Sequence, residues 1–155
     1  MSVLKSKRKE SATEYVNLAD EIYAYTLAFC TKLSNRYQRL IGRDTMAIAS
    51  KIIDEAEGAN SVRIIDRTTY EVRRKHLLEA RAGVKALDVH MYYIWKTIST
   101  NPQGCFTNTK GETKTPAEAL KILDTMAENL GCMIDEASNK ISKVLESDKK
   151  KFEKG

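Results

Sequence analysis

Apolar residues return every three or four positions along four long stretches of the chain, which is the spacing of one buried face on an α-helix. The first stretch predicts a helix from about Ala12 to Leu33 with Ser11 as its N-cap, and the second predicts a helix over residues 45–60. The third predicts a helix from Thr68 to Thr100, and the fourth predicts one that starts at Thr115, each opened by a capping-box sequence. No stretch alternates with the period of two that half-buried strands need. The sequence therefore predicts an all-α fold, an antiparallel (up-down) four-helix bundle.

Two connectors between the predicted helices carry turn-forming residues. In the first connector, Gly42 is expected to take a positive φ at a turn, and Asp44 is expected to cap the second helix. Residues 100–115 contain one proline and two glycines among small polar side chains, a composition that predicts a flexible loop. Both connectors are short enough for consecutive helices to lie side by side.

Both ends of the single predicted domain, residues 1–155, are charged. Residues 1–10 form a basic N-terminal arm with no apolar segment behind it, so they are not a secretory signal. Residues 147–155 are rich in lysine and predict a frayed tail. The longest apolar-rich stretch, residues 22–30, is far shorter than the roughly 20 residues that span a bilayer. We therefore expect a protein that is not embedded in a membrane.

The three cysteines, Cys30, Cys105 and Cys132, are odd in number and form no C-x-x-C pair. This pattern indicates neither a zinc site nor a dithiol redox site, and it predicts reduced thiols in a cytoplasmic protein. Cys30 and Cys132 fall in apolar helical patterns and are expected to pack as small hydrophobic residues. Trp95 is expected on the buried face of the third helix because it continues the apolar row there.

The sequence lacks the motifs that would support catalysis or metal binding. Ferritin-like bundles bind two metal ions through Glu-x-x-His motifs, but Arg73 and Leu87 stand three residues before the two histidines, His76 and His90. The histidines are also 14 residues apart, too far along one helix to share an ion. No nucleophile, zinc-protease or phosphate-loop motif is present. The sequence thus predicts a protein that is not an enzyme and that uses no metal and no cofactor.

The 155 residues carry a net charge of +5, and this charge is unevenly distributed. Residues 1–10 have four bases and one acid, residues 31–43 have four bases and no acid, and residues 63–85 have seven bases and three acids. Residues 117–155, in contrast, have seven lysines and eight acids. A concentrated basic charge favours an anionic partner such as nucleic acid without establishing one.

Three basic residues of the third helix, Arg74, Arg81 and Lys85, fall within about 40° of one another around the helix axis. They lie beside the apolar face, where bundles meet other subunits or ligands. Two interpretations stay open: an ordinary solvated or salt-bridged surface, and an edge that binds anions.

Arg73 is unusual because it points in the same direction as the apolar residues of its helix. Its aliphatic stem is expected to extend past a neighbouring helix, or its guanidinium is expected to pair with a carboxylate such as Asp20 or Glu21. The third interpretation makes Arg73 part of the anion-binding edge.

Contacts from Lys and Arg to phosphates give affinity that does not depend on base sequence and that falls steeply with added salt. No recognition-helix or aromatic stacking motif is apparent, and helical tyrosines such as Tyr92 and Tyr93 are expected at core margins or subunit contacts. The sequence therefore predicts nonspecific, salt-sensitive binding of RNA or DNA. The candidate residues for nucleic-acid or partner binding are Lys5, Lys7, Arg8, Lys9, Arg36, Arg39, Arg43, Arg73, Arg74, Arg81 and Lys85.

Four pieces of the chain, in this order, carry a resemblance to a known family: MSVLKSKRKES, CTKLSNRY, EGANSV and YEVRRKHLLEARAGVKAL. Over about residues 1–98 the chain resembles the accessory variability determinants of diversity-generating retroelements. Those four-helix bundles are similar in fold to the proteins encoded by intervening sequences of bacterial 23S ribosomal RNA genes. The positions that match the family are Lys5, Lys7, Arg8, Arg36, Tyr37, Arg73 and Arg74.

The resemblance implies a non-catalytic subunit that assembles into a ring-like homo-oligomer, which is pentameric in that family. It also implies a basic surface that binds nucleic acid and a partner reverse transcriptase. Such a complex copies a template RNA with errors at adenines and so diversifies a target gene, a process called mutagenic retrohoming.

Two other functions are compatible with the same residues. The first is a homo-oligomeric interaction protein with no nucleic-acid role, whose arginines form salt bridges between subunits. The second is a stand-alone bundle that associates with ribosomal RNA and has no reverse transcriptase as a partner.

Overall fold

Four long α-helices make up most of the chain in a computed structural model that describes residues 10–108 and 110–154. No β-strand occurs in these residues, and none of their helices is long and apolar enough to cross a membrane. The helical elements are α1 (Glu10–Thr31), α2 (Asn35–Tyr37), a π-helix (Gln38–Gly42), α3 (Arg43–Ser61), α4 (Arg67–Thr100) and α5 (Pro116–Lys154).

Each long helix packs against two neighbours, in the cyclic order α1, α3, α4, α5 and back to α1. Neighbouring helices run in opposite directions. The start of α4 meets the end of α3, where Arg73 donates to the carbonyl of Ala59, and Glu14 near the start of α1 meets Lys140 late in α5. The predicted four-helix bundle is therefore confirmed. In this order the α1–α3 face and the α4–α5 face lie on opposite sides of the bundle.

The core is filled by the predicted apolar rows. The predicted burial of Trp95 is wrong, since its side chain is 44% exposed. This side chain points about 65° away from the mean direction of Met91, Ile94 and Ile98. Cys132 is also exposed, because it lies nearly opposite the buried face of α5, whereas Cys30 is buried as predicted. The buried residues of α4 that the periodicity predicts are Leu77, Ala80, Val84, Leu87, Met91, Ile94 and Ile98.

Capping boxes open both α4 and α5, but one of them lies earlier than predicted. At α5 the predicted box forms, because the Glu118 N–H donates to the Thr115 hydroxyl and the Thr115 N–H donates to the Glu118 carboxylate. The predicted start of α4 at Thr68 is wrong, since Asp66 is the N-cap. The Thr69 N–H donates to the Asp66 carboxylate at 2.8 Å, and the Asp66 N–H donates to the Thr69 hydroxyl at 3.0 Å. The bonds that the Thr69 N–H and the Thr69 hydroxyl donate to the Asp66 carboxylate also lower its pKa.

The segment before α3 is helical and contains no turn at its glycine. Gly42 has a φ of −63°, an ordinary helical value, so the predicted positive φ is wrong, and Asp44 lies in the first turn of α3 instead of at its N-cap. The chain reverses earlier, around Ser34, whose backbone is extended. The Gln38 side-chain amide then donates to the Leu33 carbonyl at 2.9 Å. This bond and the packing of residues 35–42 on the core keep the segment helical.

The described residues between α4 and α5, 101–108 and 110–115, close the end of the bundle at which α1 and α4 end. Cys105 and Phe106 are fully buried, and the Phe106 ring packs edge-on against Phe29 with 5.6 Å between centroids. The Ser34 N–H donates to the Cys105 carbonyl at 2.8 Å, and both glycines of the loop have a positive φ. The centre of the loop is thus anchored to the end of α1, while its predicted flexibility stays a prediction.

The chain ends differ from the sequence-based boundaries. The segment predicted as a frayed tail is part of α5, which continues to Lys154. Phe152 stacks on Tyr70 of α4 with ring centroids 4.3 Å apart, and Asp148 is buried. These contacts give the last turns of α5 a packing surface that charge composition does not reveal. At the other end, α1 already contains the residue before Ser11, so Ser11 lies inside the helix and is not its cap.

The closest approach of α3 and α4 at a glycine yields a test of the packing. A Cβ at Gly83 would lie 2.9 Å from Cγ1 of Ile52. We expect Gly83→Ala to lower the free energy of unfolding by about 1 kcal/mol, because overpacking of roughly 1–3 kcal/mol outweighs the gain of about 1 kcal/mol in helix propensity. Urea denaturation followed by circular dichroism measures the change.

Gly131→Ala in α5 is the matched control, since nothing lies within 4 Å of the added Cβ. It is expected to raise stability by up to about 1 kcal/mol through helix propensity alone. Equal effects of the two substitutions would contradict the close approach of α3 and α4.

Candidate nucleic-acid interface

Arg73 is held inside the bundle by a carboxylate from α5. Its Nε donates to Oδ2 of Asp148 at 2.6 Å, and its Nη1 donates to the carbonyl of Ala59 at 3.0 Å. The two charged side chains are only 15% and 10% exposed. The predicted ion pair therefore exists, but its carboxylate is Asp148 and not Asp20 or Glu21. Because this charge is neutralised in the interior, Arg73 is not part of the exposed basic surface.

A row of seven side chains runs along the outer face of α4, starting at the next residue. Successive members are three or four positions apart, so they share one side of the helix over about 33 Å. Arg81 and Leu78 are half-buried, and the other five are exposed. We call this set the α4 row: Arg74, Leu78, Arg81, Lys85, Val89, Tyr92 and Lys96.

The four cations of the α4 row have no ion-pair partner among the residues that the structure describes. Arg81 and Lys85 border a groove of about 420 Å³ between α4 and α5, which Asp88 and Asp135 also line. The Arg81 Nη1 donates to the Ser142 hydroxyl at 3.3 Å, which holds the guanidinium over this groove. The row therefore presents positive charge that no neighbouring carboxylate neutralises through an ion pair.

A second group of candidates lies elsewhere on the bundle. Arg36, Arg39 and Arg43 are all exposed, and the last two line a groove between α1 and α3. The Arg36 guanidinium lies 5.6 Å from the centroid of the Tyr37 ring. Because the α1–α3 face lies opposite the α4–α5 face, the structure does not bring these arginines together with the α4 row.

The basic arm cannot be placed on either face. Lys5, Lys7, Arg8 and Lys9 lie outside the described residues and stay predictions from the sequence. The described candidates occupy three places: the outer face of α4, the α1–α3 face and, for Arg73, the interior.

Sequence reasoning missed the second half of the α4 row. Val89, Tyr92 and Lys96 continue the spacing of the three basic residues that the sequence had singled out. Tyr92 and Tyr93 are 57% and 54% exposed, so neither lies at the margin of the bundle core. The signal was present in the sequence as steps of four, three and four residues from Lys85. The two tyrosines were expected at core margins or subunit contacts, and their exposure contradicts only the first of these.

The titratable residues show no catalytic arrangement in the part of the chain that the structure describes. No group of three or more His, Cys, Asp or Glu side chains there could hold a metal ion. His76 Nδ1 lies 2.7 Å from Oε2 of Glu55, which fixes that ring between α4 and α3. Nε2 of His90 is buried without a hydrogen-bond partner in the described residues.

Burial decides the chemistry of the thiols. It raises the pKa of Cys30 to about 11, and it also raises the pKa of Cys105. Both groups are therefore protonated at neutral pH, and a protonated thiol is a poor nucleophile. Cys132 alone among the three is exposed.

The described residues form a four-helix bundle, and its basic side chains on two opposite faces have no ion-pair partner among those residues. No protein-family model matches the chain, and no curated protein or solved structure matches it either. The site must therefore be interpreted from its own residues.

The Arg73–Asp148 pair yields a stability prediction. Asp148→Asn keeps the shape of the side chain but leaves the mostly buried guanidinium without a counter-charge, so we expect a loss of about 3 kcal/mol in the free energy of unfolding. Glu146→Gln is the control, since Glu146 forms an ion pair with Lys150 in which both side chains are 68% exposed. The control is expected to cost less than about 1 kcal/mol. Urea denaturation that gave the same loss for both variants would show that the buried pair has no special role.

Thiol labelling tests the burial of the cysteines. We expect iodoacetamide at neutral pH to modify Cys132 alone in the folded protein, because the other two thiols are buried and protonated. Intact-mass and peptide analysis would reveal the site, and labelling in urea should reach all three cysteines. Rapid modification of Cys30 in the folded state would contradict the raised pKa.

Proposed function

We propose that this protein is a non-catalytic subunit that binds RNA or DNA without sequence preference, assembles as a homo-oligomer and partners a reverse transcriptase in a diversity-generating retroelement. The observation that carries the nucleic-acid part is the α4 row, with four cations on one helix face and no ion-pair partner among the described residues. Basic side chains that have no carboxylate partner can bind phosphates, and the release of counterions from the nucleic acid supplies most of the affinity.

The contrast with other exposed lysines supports this interpretation. Lys51 lies 3.0 Å from the carboxylate of Glu79, and Lys150 lies 3.3 Å from that of Glu146. At those positions each lysine is already paired with a carboxylate. No cation of the α4 row forms such a pair with a described residue, and Asp88 and Asp135 line the adjoining groove beside Arg81 and Lys85.

The oligomer and the reverse transcriptase rest on the resemblance over residues 1–98. A ring of identical subunits would repeat the α4 row around its axis and multiply the phosphate contacts, which raises affinity without any new type of contact. Two observations would support the partner: co-purification with a reverse transcriptase, and a reverse-transcriptase gene beside near-identical template and variable repeats in the source locus. The absence of both would overturn this part of the proposal.

The nucleic-acid part predicts a change in salt dependence. We expect the wild-type protein to shift RNA and DNA in gels at low salt and to lose this binding as salt is added. Arg74→Gln combined with Lys85→Gln removes two phosphate contacts. The slope of log affinity against log salt should therefore fall by about 0.9 per contact on duplex DNA. Fluorescence anisotropy at several salt concentrations measures the slope.

Lys51→Gln combined with Lys150→Gln is the matched control, since it removes the same charge from two exposed lysines that are already paired. The control should leave the slope almost unchanged. No binding by an intact wild-type protein at low salt would refute the nucleic-acid role. Equal slopes for the two double variants would assign the binding to another surface.

A homo-oligomeric interaction protein without a nucleic-acid role is the second candidate, and one observation favours it. Leu27 and Leu40 are 43% and 58% exposed, and Leu27 lines the α1–α3 groove beside Arg39 and Arg43. Arginine is enriched in protein interfaces, and Arg39 and Arg43 have no ion-pair partner among the described residues. In this alternative these arginines form salt bridges between subunits, so charge reversal at Arg39 and Arg43 should dissociate the oligomer. An unchanged mass by light scattering would count against it.

A further inference from the structure

The outer face of α4 carries two large aromatic rings that the bundle does not cover. Tyr92 and Tyr93 are 57% and 54% exposed although their rings touch edge to face, with 5.5 Å between centroids. Val89, one turn before them, is 48% exposed. Single exposed apolar residues are common on protein surfaces, but adjoining ones of this size mark a place where something binds.

Cations stand at both ends of this aromatic pair. Lys85 lies seven positions before Tyr92 and Lys96 lies four positions after it, so the two lysines are separated by about 16 Å along the helix. Both are exposed and neither has an ion-pair partner among the described residues. From Lys85 to Lys96 the exposed side of α4 thus carries a lysine, the carboxylate of Asp88, two aromatic rings and a second lysine. Tyr93 lies about 100° further round the helix than Tyr92, and the contact between their rings joins them into one patch.

We propose that this face of α4 selects single-stranded nucleic acid, with unpaired bases stacked on Tyr92 and Tyr93 and the backbone phosphates held by Lys85 and Lys96. The inference deepens the proposed nucleic-acid role and rests on it. Aromatic rings accept any base, because every base has a π-face, and cations beside them follow the backbone. The bases of a duplex are stacked on one another and cannot reach such rings, so the tyrosines add affinity for single strands alone.

Charge complementarity favours this occupant over a second copy of the chain. A symmetric antiparallel contact centred midway between Lys85 and Lys96 would place Lys85 of one subunit against Lys96 of the other. Like charges brought together in a desolvated contact repel each other strongly. A single-stranded nucleic acid avoids this repulsion because its phosphates are negative, and its bases offer flat apolar surfaces to the two tyrosine rings.

Paired variants test the proposal. Tyr92→Ala combined with Tyr93→Ala should weaken binding of a single-stranded oligonucleotide at least about tenfold, the effect expected when a stacked base loses its ring. Binding of a duplex of the same length should stay within about twofold, and the salt slope for the single strand should not change, since no phosphate contact is lost. Tyr92→Phe combined with Tyr93→Phe is the control, because it keeps both rings and should bind like the wild type.

The single tryptophan provides an independent signal. Trp95 is 44% exposed and lies three positions after Tyr92 in the C-terminal half of α4. It is the only tryptophan in the sequence. Its fluorescence should change when the wild-type protein binds a single-stranded RNA or DNA oligonucleotide, and the change should be much smaller with the duplex.

The possible failures of the two proposals are distinguishable. If the wild-type protein binds no nucleic acid at low salt, the proposed function fails, and this inference fails with it. If it binds, but the alanine pair weakens single strand and duplex equally or weakens neither, stacking alone is overturned. A lower oligomer mass for the alanine pair would instead make this face a subunit contact and would also overturn the inference. Melting by circular dichroism confirms that each variant is folded.

Discussion

The ion pair between Arg73 and Asp148 sets much of the arrangement around it. Arg73 points into the apolar side of α4, where an unpaired guanidinium would be costly. Asp148 neutralises it from α5, and the carbonyl of Ala59 accepts a second hydrogen bond from α3, so one side chain joins three helices. For Asp148 to reach this position, α5 must remain helical for about one turn beyond Leu145, a buried apolar residue of the core. The stacking of Phe152 on Tyr70 secures the same turns, and the C-terminal segment becomes part of the bundle.

The packing that buries Arg73 also determines which basic residues of α4 remain available for binding. With α3 on one side of α4 and α5 on the other, only the outer face of α4 is left without a neighbour. Arg73 is paired with Asp148 in the interior, whereas Arg74, one position later, begins the outward-facing α4 row. The difference of 100° between adjacent helical residues therefore separates a structural arginine from a candidate binding residue. The α1–α3 arginines form a second surface on the opposite side, which suits an assembly with more than one contact area.

Local patterns predicted the architecture, while long-range contacts set the details that the sequence left open. The four apolar rows and the Thr115–Glu118 box depend on neighbouring residues, and both were predicted. The partner of Arg73 lies 75 positions away, so no local pattern identifies it. Gly42 was expected at a turn because glycine permits a positive φ, yet packing around the π-helix keeps it helical. For the candidate site, the basic half of the α4 row was predicted. Its aromatic half was not, because exposure depends on where the neighbouring helices lie.

The central claim is that nucleic acid lies along the outer face of α4, and photo-crosslinking tests it most directly. A single-stranded RNA containing bromouridine would be bound to the full-length wild-type protein, irradiated and digested, and the modified peptides would be identified by mass spectrometry. The account predicts crosslinks at Tyr92, Tyr93 or Trp95, which are competed away by unlabelled single strands. Crosslinks confined to tyrosines of other elements, such as the partly exposed Tyr23 of α1, with none on α4 would contradict it.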